Sequence, residues 1–151
     1  MKKTMMATIL MGIAFVALPA IASDSNTLMI FSFRPGGPQF TGSFNASGVI
    51  HEAATADSTV NFDTTTGILS ASKVIHLTGG DIQMLVQGPL NTTKWPAVSL
   101  IGKWQFTGGS GVYTGIAGRG TCAVVGDMGA GTFSGAYHGK VKLAGDKDED
   151  D

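Results

Sequence analysis

The stretch GKWQFTGGSGVYTGIAGRGT, residues 102–121, decides the fold. Its glycines are Gly102, Gly108, Gly109, Gly111, Gly115, Gly118 and Gly120. Such a run either cradles a phosphate or shapes a turn between strands. A dinucleotide fingerprint needs G-x-G-x-x-G between a strand and a helix. Here Gly109-Ser110-Gly111 is followed by Thr114 and then Gly115, and no helical period follows. A Walker loop needs Gly-Lys before Ser or Thr, but the two Gly-Lys pairs precede Trp104 and Val141. Both phosphate readings fail. The run reads as a strand ending at Phe106, a tight turn through Gly108–Gly111 and an irregular return, with Tyr113 and Ile116 plugging one end of the core. Glycines there permit positive φ and bulges.

The flanking sequence has the same character. No stretch sustains a 3.6-residue period, whereas period-two alternation recurs between Gly, Asn, Asp, Ser and Pro clusters. In QFTGSFNASGVIH (39–51), Phe40, Gly42, Phe44, Ala46, Gly48 and Ile50 share one face. In GTFSGAYHGKVKL (131–143), Phe133, Gly135, Tyr137, Gly139, Val141 and Leu143 do the same. AVSLIGKWQF (97–106) aligns Val98, Leu100, Gly102, Trp104 and Phe106. STVNFD (58–63), GILSASKVIHLT (67–78), DIQMLVQG (81–88) and GRGTCAVV (118–125) complete the set with TLMIFSF (27–33), which is apolar on both faces. About eight short strands joined by short turns indicate an antiparallel sandwich or barrel. Glycines on the apolar faces favour the barrel, whose closure needs sharp bends and removes exposed sheet edges. The fold expected is all-β, a single eight-stranded antiparallel barrel.

The chain's start reads as a leader. Lys2 and Lys3 precede an apolar run from Thr4 to Leu18, then Pro19 and Ala20-Ile21-Ala22. That is the pattern of a secretory signal peptide over residues 1–22. The run is too short for a stable membrane span of about 20 residues. Export to a bacterial periplasm or beyond is expected, with the barrel domain over 23–143 and a solvated acidic tail over 144–151. Loss of Lys2 and Lys3 takes the formal charge of -1 to -3. Most of the acid is in the tail GDKDEDD, and the remaining basic residues are scattered. Without a basic stripe, nucleic acid is not an expected partner. Cys122 is the only cysteine, so core packing and not an internal disulfide must hold the domain.

The segment TGGSGVYTGIAGRGT (107–121) resembles the GGSG-x-aromatic-x-G-x-x-G segment of allene oxide cyclase and dirigent barrels. DIQMLVQGPL (81–90) resembles the I-x-VQGP strand of allene oxide cyclases. Residues from about 40 to 143 are similar to a secreted bacterial branch of that superfamily without assigned activity. The resemblance implies an eight-stranded barrel with an apolar lumen. Plant members cyclise hydrophobic epoxides or steer phenol coupling, and plant relatives form trimers. Their first-strand carboxylate has no counterpart in TLMIFSF, so the fold carries over while catalysis is left open.

Few groups offer chemistry. His51 and Glu52 are adjacent, so on a strand they point to opposite faces. His51, His76 and His138 lack metal-ligand spacing, and no metal or cofactor is expected. His76 shares a face with Val74 and Ile68 and is the first candidate for a polar group in the lumen. Trp104, Phe106, Phe40, Phe44, Tyr137 and Met84 are the expected lumenal lining. Arg119 is either a partner for a ligand carboxylate or a surface residue. Gly108, Gly109, Gly111, Gly115, Gly118 and Gly120 are architectural. GGSGV is not a nucleophile elbow, which needs a strand-to-helix turn. Three functions follow: a carrier of a small apolar ligand, a cyclase or isomerase acting by positioning, and a filled barrel serving as an interaction module. TLMIFSF as an interface strand would suit a trimer or dimer.

Overall fold

The computed structural model describes residues 39–145 in full and the backbone of residues 25–33. The leader and the acidic end from residue 146 lie outside the described residues, as do the side chains of TLMIFSF on which the interface reading rests. The elements in order are β1 (Ser25–Phe33), β2 (Gln39–Gly48), β3 (Ala53–Asp63), β4 (Ile68–Leu77), β5 (Gly80–Lys94), β6 (Ala97–Gly109), β7 (Ala117–Asp127) and β8 (Thr132–Lys142). Helix is limited, among the described residues, to one 3-10 turn at Gly111–Tyr113. None is long and apolar enough to cross a membrane.

Strands β2 to β8 form an antiparallel meander in which each pairs with the next. The sheet curls into a barrel-like shape. Phe40 on β2 and Phe133 on β8 come from opposite ends of the meander, yet their rings meet edge to face with centroids 5.1 Å apart. Alternation sets the inner face. On β4 it carries Ala71, Lys73, Ile75 and Leu77; on β5, Ile82, Met84 and Val86; on β6, Val98, Leu100 and Trp104. Burying side chains of this kind contributes about 1.5–3 kcal/mol each.

Two expected strands are longer than their apolar cores. β3 begins at Ala53, because Ala54 and Ala56 face inward although their side chains are small. β5 runs on through Pro89 to Lys94. Pro89 lies between the pairs Gln87–Lys103 and Leu90–Leu100, where its missing N–H interrupts the ladder without ending the strand. β6 also continues past Phe106 to Gly109. The register slips there, with Gln83 opposite Gly108 and Met84 opposite Phe106, so Thr107 is the extra residue of a bulge.

The inward glycines make room for rings. Gly139 stands opposite Gly120, and a side chain at Gly139 would occupy the space of the Trp104 indole. The indole Nε1 donates to the His138 carbonyl oxygen at 3.1 Å. Phe133 likewise lies over Gly126.

The two ends of the curled sheet differ. At one end the connections 49–52, 78–79 and 110–116 cover a packed plug. Phe44, Ile50, Leu77, Ile82, Met84, Trp104 and Ile116 are buried there, with Phe106 and Tyr113 against them. Tyr113 Oη donates to Glu52 Oε1 at 3.0 Å and ties two of these connections together. Of the described connections at the opposite end, 64–67 and 128–131 are short turns, each held by the carboxylate that ends the preceding strand. Asp63 accepts from the Thr65 N–H at 2.8 Å and the Thr66 hydroxyl at 2.8 Å. Asp127 accepts from the N–H groups of Gly129 and Ala130 at 2.8 and 2.9 Å. Such turns fix the backbone through side-chain-to-backbone hydrogen bonds.

Candidate functional site

The interior between the plug and these short turns holds a cavity of about 350 Å³. Its depth follows from the strand pattern. Ser58, Lys73, Val86 and Tyr137 line it, whereas the next inward residues toward the plug, Ala56, Ile75, Met84 and Gly139, do not. These four lining residues therefore form a floor on top of the plug. Val60, Leu69, Leu90 and Val124 make apolar walls above it. Phe62, Trp95 and Met128 line the mouth and are themselves exposed, Trp95 at 64 %.

Among the described lining residues, one charged side chain stands in this apolar surface. Lys73 is 6 % exposed, and its Nζ donates to Ser58 Oγ at 3.2 Å. The register explains the contact, since Ser58 and Lys73 are directly opposed on β3 and β4 with both side chains inward. Burial pulls the Lys73 ammonium down to about 7, against an opposing influence of Cys122. Burial also pushes the Cys122 thiol and the Tyr137 phenol up, so both are neutral near neutral pH. The floor thus offers a lysine amine poised between its two protonation states, a serine hydroxyl and a phenol. These groups can donate hydrogen bonds to a polar end of a molecule whose body fills the apolar space above.

Of the lining residues expected from sequence, Tyr137 lies on this floor and Phe40 also lines the cavity. Trp104, Met84 and Phe44 point inward but are buried in the plug below it. Phe106 packs beside Trp104, ring centroids 5.0 Å apart, at the same end. Arg119 is exposed on the outer face, its backbone opposite Gln105 and Lys140. Gly108 and Gly109 end β6, Gly111 and Gly115 take positive φ of 59° and 79° around the 3-10 turn, and Gly118 and Gly120 lie on β7. Ser110 bridges to Asp81: its Oγ accepts from the Asp81 N–H, and its own N–H donates to the Asp81 carbonyl, both at 2.9 Å.

His76 stands on the outer wall. Its Nδ1 is 2.9 Å from Asp81 Oδ1 and its Nε2 is 3.2 Å from Asp57 Oδ2. The hydrogen bond to Asp81 leads in raising the His76 pKa, against some desolvation, with Asp57 adding to it. The ring separates the two carboxylates, so the trio is a bridged ion pair and not a metal cage. Strand parity accounts for its position. The face shared by Ile68, Val74 and His76 also carries Ser70 and Ser72 and is the outer one.

Sequence reasoning missed Lys73, and the same strand contained the signal. Leu69, Ala71, Ile75 and Leu77 form the more apolar alternate set of β4, and Lys73 is in step with them. A lysine inside an otherwise apolar alternate set is a buried lysine. No protein-family model, curated protein or solved structure matches the chain.

Proposed function

We propose that the protein is an exported barrel that binds a small apolar molecule in its lumen. The observation that carries this reading is the cavity between plug and mouth, about 350 Å³ with apolar walls. That volume is within the roughly 300–1,000 Å³ range of small-molecule sites. A barrel filled by its own side chains, serving as an interaction module, would leave no such space.

In the same proposal the curled sheet is a closed eight-stranded barrel of the allene oxide cyclase and dirigent type. Closure is supported by β1, which runs antiparallel to both β2 and β8. Phe31 pairs with Gly42 on one side and with Phe133 on the other. The family reading is supported by the glycine segment 107–121 and by VQGP at 86–89. Export is supported by the leader pattern at 1–22.

A cyclase or isomerase is the second reading, favoured by one observation: the lumen floor carries polar groups, Lys73, Ser58 and Tyr137, where a bound substrate would meet them. Both readings need occupancy. Native mass spectrometry of protein purified from its own host, before and after incubation with host lipid extract, tests it. A reproducible added mass of one small molecule per chain is expected. A bare protein under both conditions would overturn the lumenal reading.

A further inference from the structure

We propose that the outer face of β6, β7 and β8 is a basic docking surface, and that the acidic segment 146–151 of the same chain occupies it. The contact lies on the outside of the sheet and does not involve the cavity.

The register gathers charges that are far apart along the chain. Between residues 39 and 145 the Lys and Arg residues are Lys73, Lys94, Lys103, Arg119, Lys140 and Lys142. Strand parity turns the last four outward, and all four are exposed. Arg119 on β7 stands directly opposite Lys140 on β8. Lys103 on β6 is opposite Thr121, diagonal to Arg119 on the same face, and Lys142 is opposite Ala117. Directly opposed Cβ atoms are about 4.5–5.5 Å apart, and like charges so placed destabilise a sheet. An anion over this face relieves that repulsion.

The described carboxylates are engaged elsewhere. Glu52 accepts from Tyr113, Asp57 and Asp81 flank His76, and Asp63 and Asp127 hold their own turns. Among the described residues Lys103, Arg119 and Lys140 form no ion pair. Beyond those residues, Asp24 just before β1 is a single acid, whereas the segment after β8 carries Asp146, Asp148, Glu149, Asp150 and Asp151 against Lys147. That segment also starts in the right place. β8 ends at Lys142, and Ala144 lies against Gly115, so the chain leaves the sheet beside the basic face. Gly145 follows in a turn with φ of 100°. Residues 146–151 fully extended span about 20 Å, and β6 is two strand spacings, about 10 Å, from β8. The segment therefore reaches Arg119 and Lys103 with length to spare. A short tether gives an effective concentration on the order of millimolar, an advantage that a separate anionic surface lacks.

The test is zero-length crosslinking with a water-soluble carbodiimide, which joins a carboxylate to a lysine amine in direct contact. The full chain is purified from its own host as an equal mixture of isotopically light and heavy protein. The reaction is run at low ionic strength and at about 1 M salt, where the screening length is ~3 Å, and mass spectrometry of peptides locates the links. Links from the acids of 146–151 to Lys103 and Lys140 within one chain are expected at low salt, falling about tenfold at high salt. Arg119→Gln changes no reactive group and should lower both yields about two- to fivefold at low salt, the loss of one exposed ion pair. Yields that ignore salt, or that ignore Arg119→Gln, would show a tethered segment with no preference for the face and would overturn the proposal. Links joining light to heavy chains would give the face to a second copy, and links to Asp24 in place of the segment would name a different counter-charge; either result overturns it. Absence of links at low salt would overturn it outright, and cosedimentation with phosphatidylglycerol vesicles would then assign the face to an anionic lipid surface. The salt comparison needs no variant.

Discussion

Lys73 Nζ and Ser58 Oγ are 3.2 Å apart at the floor of an apolar cavity, on strands that oppose the two residues directly. An amine so placed ties stability to pH. The unfolded chain holds the lysine proton up to about 10.5, whereas the folded chain releases it at about 7. Between those values the unfolded state binds more protons, so stability rises with pH. Below about 7 both states are charged and the dependence vanishes.

Urea midpoints should therefore rise from pH 7 to pH 9 in wild type, by an amount on the order of 2 kcal/mol in unfolding free energy. Lys73→Met should abolish most of that slope and be more stable at pH 7. An unchanged slope in the variant would show that Lys73 is not the titrating group.

His76 behaves in the opposite sense. Its folded pKa is raised above 6.5, chiefly by Asp81. Its contribution is fully present below 6.5 and fades as pH rises through the folded value. The partners are exposed, with side chains of His76 and Asp81 at 41 % and 48 %. His76→Ala should therefore cost under about 1 kcal/mol at pH 6, less at pH 9 and less again in high salt. Probe binding in the cavity should be unchanged.

The plug rests on the fit of Trp104 over Gly139. Trp104→Ala should cost about 3–5 kcal/mol. A side chain at Gly139 would also press on the Arg119 carbonyl of β7, so Gly139→Val should displace both the ring and that backbone, at a cost of about 1–3 kcal/mol or more. Equilibrium unfolding followed by circular dichroism measures both. A neutral Gly139→Val would mean that both the ring and the β7 backbone have room to move.

Tyr113 and Glu52 join two connections over the plug. Tyr113→Phe and Glu52→Gln should each cost about 1 kcal/mol, and the double variant little more than either. Strict additivity in a double-mutant cycle would deny the 3.0 Å contact any energetic role.

Much of this fold is legible in the alternation of the chain. The inner faces of β2, β6 and β8 follow directly from Phe40 and Phe44, from Val98 to Phe106, and from Phe133 to Val141. Strand ends are less legible. Small residues hide the start of β3, and Pro89 disguises the second half of β5. The site was harder to read for a different reason. Alternation says which residues point inward, but not at what depth, and depth separates the plug from the cavity. Trp104 and Tyr137 are both inward and buried, yet only Tyr137 reaches the open space. His76 drew attention as a rare titratable group, while Lys73, three residues earlier and of opposite parity, holds the lumenal position.

The most direct measurement is a fluorescence titration with the neutral apolar probe N-phenyl-1-naphthylamine, on wild type and on Ala71→Trp. Ala71 is buried, faces inward and lines the cavity, so an indole there fills the space above Lys73. Circular dichroism establishes that the variant is folded. Saturable binding of one probe per wild-type chain, lost in Ala71→Trp, is the expected result. No saturable binding to wild type, or equal binding to both proteins, would contradict a lumenal ligand site.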